Sequence, residues 1–121
     1  MTTVLVVDDS PTEQHVCRKI LEKHGFDVVP IDDGEHSLAK ARELMPDVIL
    51  MDVVMPGMNG FQATRQLART PDTAHIPVII ITTKDQDTDR VWGMRQGARD
   101  YIVKPVREDA LIASVKAVLE G

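Results

Sequence analysis

Three aspartates, two threonines and a lysine in this chain stand where runs of aliphatic, mostly β-branched residues stop. Asp8 closes the run at 3–8 (TVLVVD) with Asp9 directly after it, and Asp52 closes the run at 48–52 (VILMD). Thr82 ends the run at 78–82 (VIIIT) with Thr83 next, and Lys104-Pro105 follows the short run at 101–103. If these runs are strands of one sheet, three carboxylates, hydroxyls and an ammonium converge on one edge. Like charges about 4 Å apart repel by roughly 4 kcal/mol at an effective dielectric of 20. Three carboxylates therefore share a crevice only when a proton or a cation compensates them. Hard oxygen ligands with room for water suit magnesium, whereas Lys104 adds positive charge but no metal ligand. A divalent cation and an ammonium around one carboxylate are prepared for an incoming dianion such as a phosphoryl group.

Each piece alone has an ordinary reading. Acids before Ser10 favour a helix N-terminus, a lone strand-end Asp52 forms turns, Thr82-Thr83 suits a β-branched strand end, and Lys-Pro is a common loop dipeptide. Four such coincidences at one edge are better explained by one site, because open α/β sheets bind ligands beyond the carboxyl ends of their strands.

The elements that position these residues alternate five times. The fifth apolar run is at 27–31 (DVVPI); its Pro30 cannot donate to a ladder, which predicts an edge strand. Three of the runs are nearly continuous apolar strings, the pattern of strands covered on both faces of a parallel sheet. Between them lie amphipathic stretches. Ser10-Pro11-Thr12-Glu13 predicts a capping box with proline at the first helical position, Gly25 closes that helix, and its stripe is Val16, Cys17, Ile20 and Leu21. The second helix carries Leu38, Ala41 and Leu44 and stops before Pro46; the third opens at Asn59 with Gln62 three residues on and ends before Pro71. The fourth is predicted over roughly 85–96 with Gly97 as terminator, its acidic run at 85–89 forming the first turn. The fifth carries Leu111, Ile112, Val115, Val118 and Leu119 on one face. Alternating β and α elements with right-handed crossovers predict an α/β, doubly wound, five-stranded parallel sheet of order 2-1-3-4-5 with five helices. That order sets the first and third strands side by side where the winding reverses.

Composition bounds the rest. The 121 residues predict one domain, 1–121, able to bury about two-thirds of its unfolded surface. At 43% hydrophobic and 27% charged the chain is globular, and with 3% aromatic its core must be aliphatic. Fourteen basic against 19 acidic residues leave a net charge of −5, which argues against a nucleic-acid footprint. The lone Cys17 excludes an intramolecular disulfide and a multi-cysteine zinc site, and suits a reducing compartment. No apolar run approaches the roughly 20 residues of a membrane span, and MTTVLVVDDS lacks the features of a signal peptide. A soluble, cytoplasmic protein without membrane insertion is expected.

The same residues carry a family resemblance. Asp8-Asp9 after VLVV, Asp52 within ILMDVVMPGMNG, Thr82 after VIII and Lys104-Pro105 after DYIV resemble the receiver domain of two-component response regulators, from about Val4 to Leu119. The chain ends after the fifth helix, as in stand-alone, single-domain regulators. The stretches DDSPTE, MNGFQATRQL and TTKDQDTDRVWGMRQGARDY resemble more narrowly the PilH type of regulator from twitching-motility chemosensory systems.

The resemblance implies roles residue by residue. Asp52 is the implied phosphoacceptor, taking a phosphoryl group from a histidine kinase. Asp9 and Asp52 are the implied direct magnesium ligands, joined by the Val54 backbone carbonyl, with Asp8 acting largely through water. Lys104 is expected to pair with Asp52 and then with the phosphoryl oxygens, Thr82 to donate its hydroxyl to the phosphoryl group, and the Thr83 N–H to add a donor. A cis Lys104-Pro105 bond is implied, which proline permits. Tyr101 matches the switch aromatic: Thr82 moves toward the phosphoryl group and the Tyr101 ring enters the space it leaves. The signal is then read on the face of the fourth helix, fifth strand and fifth helix, near which Trp92 is expected. Val54 and Lys84 fall where relatives vary and tune phosphoryl lifetime. The protein is thus expected to be a non-enzymatic phosphoacceptor switch, a monomer or weak dimer, that signals through protein contacts or acts as a phosphate sink.

Two rivals remain at this stage. A haloacid-dehalogenase-type phosphohydrolase wants a second aspartate two after the nucleophile, where Val54 stands, and a cap insertion. A flavodoxin-type flavin carrier wants a hydroxyl-rich phosphate loop where Asp8-Asp9 would repel phosphate. Other conspicuous residues have plain readings: His15, His24, His36 and His75 as surface positions, Cys17 as a buried hydrophobe, and Met45, Met51, Met55 and Met58 as packing.

Overall fold

The computed structural model describes residues 1–121. Ten elements alternate: β1 (Thr3–Val7), α1 (Pro11–Lys23), β2 (Asp27–Ile31), α2 (Ser37–Leu44), β3 (Val48–Met51), α3 (Gly60–Arg69), β4 (Val78–Thr82), α4 (Asp87–Arg95), β5 (Asp100–Val103) and α5 (Glu108–Glu120). All strand pairs are parallel, in the order β2-β1-β3-β4-β5. β2 is an edge strand, and Pro30 pairs in register with Val6 without facing a second neighbour.

Alternation along the strands divides the core between two faces. Val4, Val6, Leu50, Ile79 and Ile81 pack with Cys17 and Leu21 of α1 and Leu111, Ile112 and Val115 of α5. Leu5, Val7, Ile49 and Met51 point the other way, against Ala41 of α2 and Ala63 and Leu67 of α3. A smaller cluster of Val53, Phe61, Ile80, Ala98 and Tyr101 fills the ground toward α4.

Several boundaries differ from the sequence reading. β1 and β3 end one residue early, so Asp8 and Asp52 sit on the strand exits; their N–H groups still donate to Ile31 O (3.1 Å) and Val7 O (2.9 Å). β5 begins one residue early, at Asp100. α4 begins at Asp87, leaving Asp85 outside the first turn, because the Gln86 N–H donates to Asp89 Oδ2 at 3.3 Å and sets the cap there. Only half of the predicted Ser10 capping box forms. Ser10 Oγ accepts the Glu13 N–H (3.3 Å), but the Ser10 N–H is taken by Asp8 Oδ1 (2.9 Å), so the Glu13 side chain is not needed there. Leu119 and Met45 are exposed rather than packed: Leu119 lies in the last turn of α5, and Met45 is the left-handed C-cap of α2 (φ 49°).

The β3–α3 connection is held tightly. Asn59 and Gln62 make a full capping box, with bonds of 2.9 and 3.0 Å, and the Gly60 N–H donates to Val53 O at 3.0 Å. A Cβ on Gly60 would fall on the Asp52 carbonyl and within 2.8 Å of Val53 Cα. This Asp52–Val53 backbone cannot yield as a flexible side chain would. Gly60→Ala is therefore expected to lower stability by about 1–3 kcal/mol, read as a lower urea midpoint at unchanged slope.

Candidate functional site

The carboxyl ends of β1, β3, β4 and β5 deliver the side chains anticipated from the sequence to one crevice. Oxygens of Asp8, Asp9 and Asp52 all lie within 4.8 Å of one another. Asp8 and Asp52 are buried, whereas Asp9 is exposed at the rim. The Val53 N–H donates to Asp52 Oδ1 at 2.8 Å, fixing the orientation of that carboxylate. Lys104 follows β5, and its N–H donates to Thr82 O (2.8 Å), which ties the ends of β4 and β5 together; the Lys104-Pro105 bond is cis.

The ammonium of Lys104 is shared. Its Nζ donates to Asp8 Oδ2 at 3.0 Å and lies 3.5 Å from Asp52 Oδ2 and 3.7 Å from Glu13 Oε2. In this state the nearer partner is thus Asp8, and Asp52 is second. Each of the two carboxylates has its Oδ1 held by a backbone N–H, Asp8 by Ser10 and Asp52 by Val53, and faces the lysine with its Oδ2. Burial alone would lower the lysine's proton affinity. The hydrogen bond to Asp8 and the charges of Asp52, Asp8 and Glu13 outweigh it and hold Lys104 above the ordinary lysine value.

Asp52 moves in the opposite sense to most ion-paired acids. Burial, with the Asp8 charge adding to it, raises its proton affinity against the opposing pull of Lys104 and the backbone N–H groups. Beneath the site, burial pushes the Cys17 thiol up to about 11, so it is an inert core side chain and no nucleophile.

Thr82 is fully buried, and its Oγ1 accepts the Lys84 N–H at 3.3 Å, leaving its own O–H proton for another acceptor. Thr83 is exposed beside it, and Val54 is exposed at the mouth. Tyr101 is buried, its O–H donating to Lys84 O at 2.8 Å. The Arg90 guanidinium lies 5.1 Å from the Tyr101 ring centroid, and its Nη1 donates to Tyr101 O at 3.0 Å. Trp92 lies half exposed on α4, as expected. It lines a cleft of about 410 Å³ with Val54, Met55, Asn59, Phe61 and Lys84, beside the mouth of the site.

Three side chains at the site escaped the sequence reading: Glu13, Arg90 and Gln14. Glu13 carried the signature of a capping partner, which masked it. The Gln14 amide donates to Asp8 O (2.6 Å) and Asp32 Oδ1 (2.8 Å), joining the exits of β1 and β2; nothing local in the sequence marks it. The four histidines are all exposed and share no cluster.

The raised proton affinity of Asp52 has a consequence for stability. The folded carboxyl holds its proton more tightly than the unfolded one, so ionising it costs stability as pH rises above the ordinary value of 3.8. In metal-free buffer at neutral pH, Asp52→Asn is expected to melt above the wild type, and the gain is expected to vanish below pH 3.8. Thermal melts across pH check this; a gain independent of pH would assign it to packing.

Comparison with known proteins agrees with this geometry. Residues 4–116 match the model of the response regulator receiver domain. The chain is 58% identical to the protein PilH of Pseudomonas aeruginosa, over the whole of both chains. Its structure superposes on the Vibrio cholerae chemotaxis protein CheY4 with a TM-score of 0.91 at 31% identity, covering 98% of each chain. It superposes equally well, at 0.91 and 28% identity over 99% of this chain and 98% of the other, on the receiver domain of a Pseudomonas aeruginosa sensor histidine kinase solved with magnesium in its active-site cleft. On these grounds the chain belongs to the response regulator receiver domain family.

Proposed function

We propose that Asp52 accepts a phosphoryl group from the phosphohistidine of a histidine kinase and that 1–121 works as a single receiver domain. The observation that carries this is the crevice itself: a buried carboxylate with an ammonium 3.5 Å away and two further carboxylates within 4.8 Å. Family membership supports this phosphoacceptor reading and lends nothing to a phosphohydrolase or a flavin carrier. The similarity to PilH supports a setting in twitching-motility or chemotaxis-like signalling, in the cytoplasm with the kinase.

The donor set fits magnesium, because clustered carboxylate oxygens are hard ligands that need a cation to coexist. Asp9, Asp52 and the Val54 carbonyl would hold it, with Asp8 beside them, and when bound it supplies charge neutralisation at the phosphoryl oxygens. In the transfer, a carboxylate oxygen of Asp52 forms a bond to phosphorus as the phosphorus–nitrogen bond breaks, and the departing imidazole keeps the electron pair and takes up a proton. The protein's part is positioning and charge: Lys104 turns from Asp8 and Asp52 toward the phosphoryl oxygens, and the free O–H of Thr82 and the N–H of Thr83 donate to them.

The message leaves through protein contacts on the face of α4, β5 and α5. Lys84 supports this route, because its N–H binds the Thr82 hydroxyl and its carbonyl binds the Tyr101 hydroxyl. A shift of Thr82 therefore alters the anchor of Tyr101.

Incubation with acetyl phosphate and magnesium is expected to add one base-labile phosphoryl group, absent in Asp52→Ala and strongly reduced by a chelator, as intact mass reads it. An adduct at full yield in Asp52→Ala would sink the assignment. Magnesium at a hundredfold excess over its dissociation constant is expected to stabilise the wild type by about 2.7 kcal/mol and Asp9→Ala by far less.

Beryllofluoride is expected to change Trp92 fluorescence and to move amide shifts across residues 85–101, with a weaker response in Thr82→Ala. Shifts confined to the residues around Asp52 would make Tyr101 a packing residue only.

A further inference from the structure

Lys104 has one carboxylate more than phosphoryl transfer calls for. Glu13 stands in the first turn of α1 with its Oε2 3.7 Å from the Lys104 ammonium. Its side chain is released from the helix cap because Asp8 has taken the Ser10 N–H. The Glu13 side chain is 35% exposed and that of Lys104 10%, so Glu13 is the most exposed of the three acids around a largely enclosed ammonium.

We propose that Glu13 is a positioning residue that competes with the phosphoryl group for Lys104 and so sets how tightly the Asp52 site holds a phosphoryl-shaped anion. The inference rests on the proposed function and extends it to a residue outside the acceptor, metal and switch positions. An ammonium has three N–H donors, and Asp8, Asp52 and Glu13 all surround this one. An anion on Asp52 must draw Lys104 away from Glu13, and the Glu13 charge also repels that anion. The same negative charge attracts a divalent cation to the neighbouring aspartates. Removing it therefore acts with opposite sign on the two ligands. A side chain that only packs, or only starts a helix, would move both in one direction or neither.

Glu13→Gln keeps the shape and removes the charge; Glu13→Ala removes both and guards against a new amide contact. Melting curves establish that each variant is folded. Magnesium alone is titrated by calorimetry, and beryllofluoride by fluorine NMR at saturating magnesium. In both variants the beryllofluoride midpoint is expected to fall, and the magnesium dissociation constant to rise, each by about three- to fivefold, the scale of a partly exposed ion pair. Unchanged values for both ligands, or shifts of the same sign, overturn the proposal while leaving the phosphoacceptor reading intact. A wild type that takes up no beryllofluoride with magnesium overturns that reading, and this proposal with it.

Discussion

The structure depends on one electrostatic constraint: acids gathered at the end of a parallel sheet need a cation to stay together. Two carboxylates about 4 Å apart repel by roughly 4 kcal/mol at an effective dielectric of 20. Asp8 and Asp52 are buried, which strengthens that repulsion. Lys104 relieves part of it, reaching Asp8, Asp52 and Glu13 from the end of β5. The ammonium is in turn held by the sheet, since the Lys104 N–H bonds Thr82 O. Even so, one lysine among four acids leaves negative charge uncompensated. That residue of charge is what a divalent cation would find, while burial, with the Asp8 charge adding to it, keeps Asp52 reluctant to ionise.

A second constraint carries the site outward. Thr82 and Tyr101 do not touch through their own hydroxyls; both are bonded to the backbone of Lys84, one to its N–H and the other to its carbonyl. A backbone bridge transmits position without depending on a side-chain rotamer. Around Tyr101 the fit is close. A Cβ on Gly93 would come within 3.1–3.2 Å of the ring, and Arg90 lies over it while bonding its carbonyl. Tyr101 is therefore enclosed by α4 on one side and its own strand on the other. Tyr101 thus joins the β4–α4 loop to α4, whose Val91, Trp92 and Met94 are half exposed.

The sheet order, both helix layers, the edge position of β2 and the clustering of Asp8, Asp9, Asp52, Thr82 and Lys104 at one end were legible in the sequence. Each follows from local properties: continuous apolar runs for doubly covered strands, Pro30 for an edge, and a strand-end position repeated in four segments. Helix ends were legible where one side chain had one partner, as at Asn59 and Gln62. They were less so where partners compete, as at Ser10.

Tertiary structure alone decided the partners. Lys104 lies 96 residues from Asp8, and no spacing rule says that it bonds Asp8 before Asp52. Glu13 faces an ammonium that the end of β5 brings to the first turn of α1, while Asp8 takes the Ser10 N–H of the cap. Arg90 reaches the Tyr101 carbonyl, and Trp92 turns to the Val54 cleft, because of how α4 seats on β5 through Gly93. Local patterning determines which face of an element is buried and where it ends; it holds no information on distances between segments far apart in the chain. Those distances set the competition among hydrogen-bond partners, and so the state of the site.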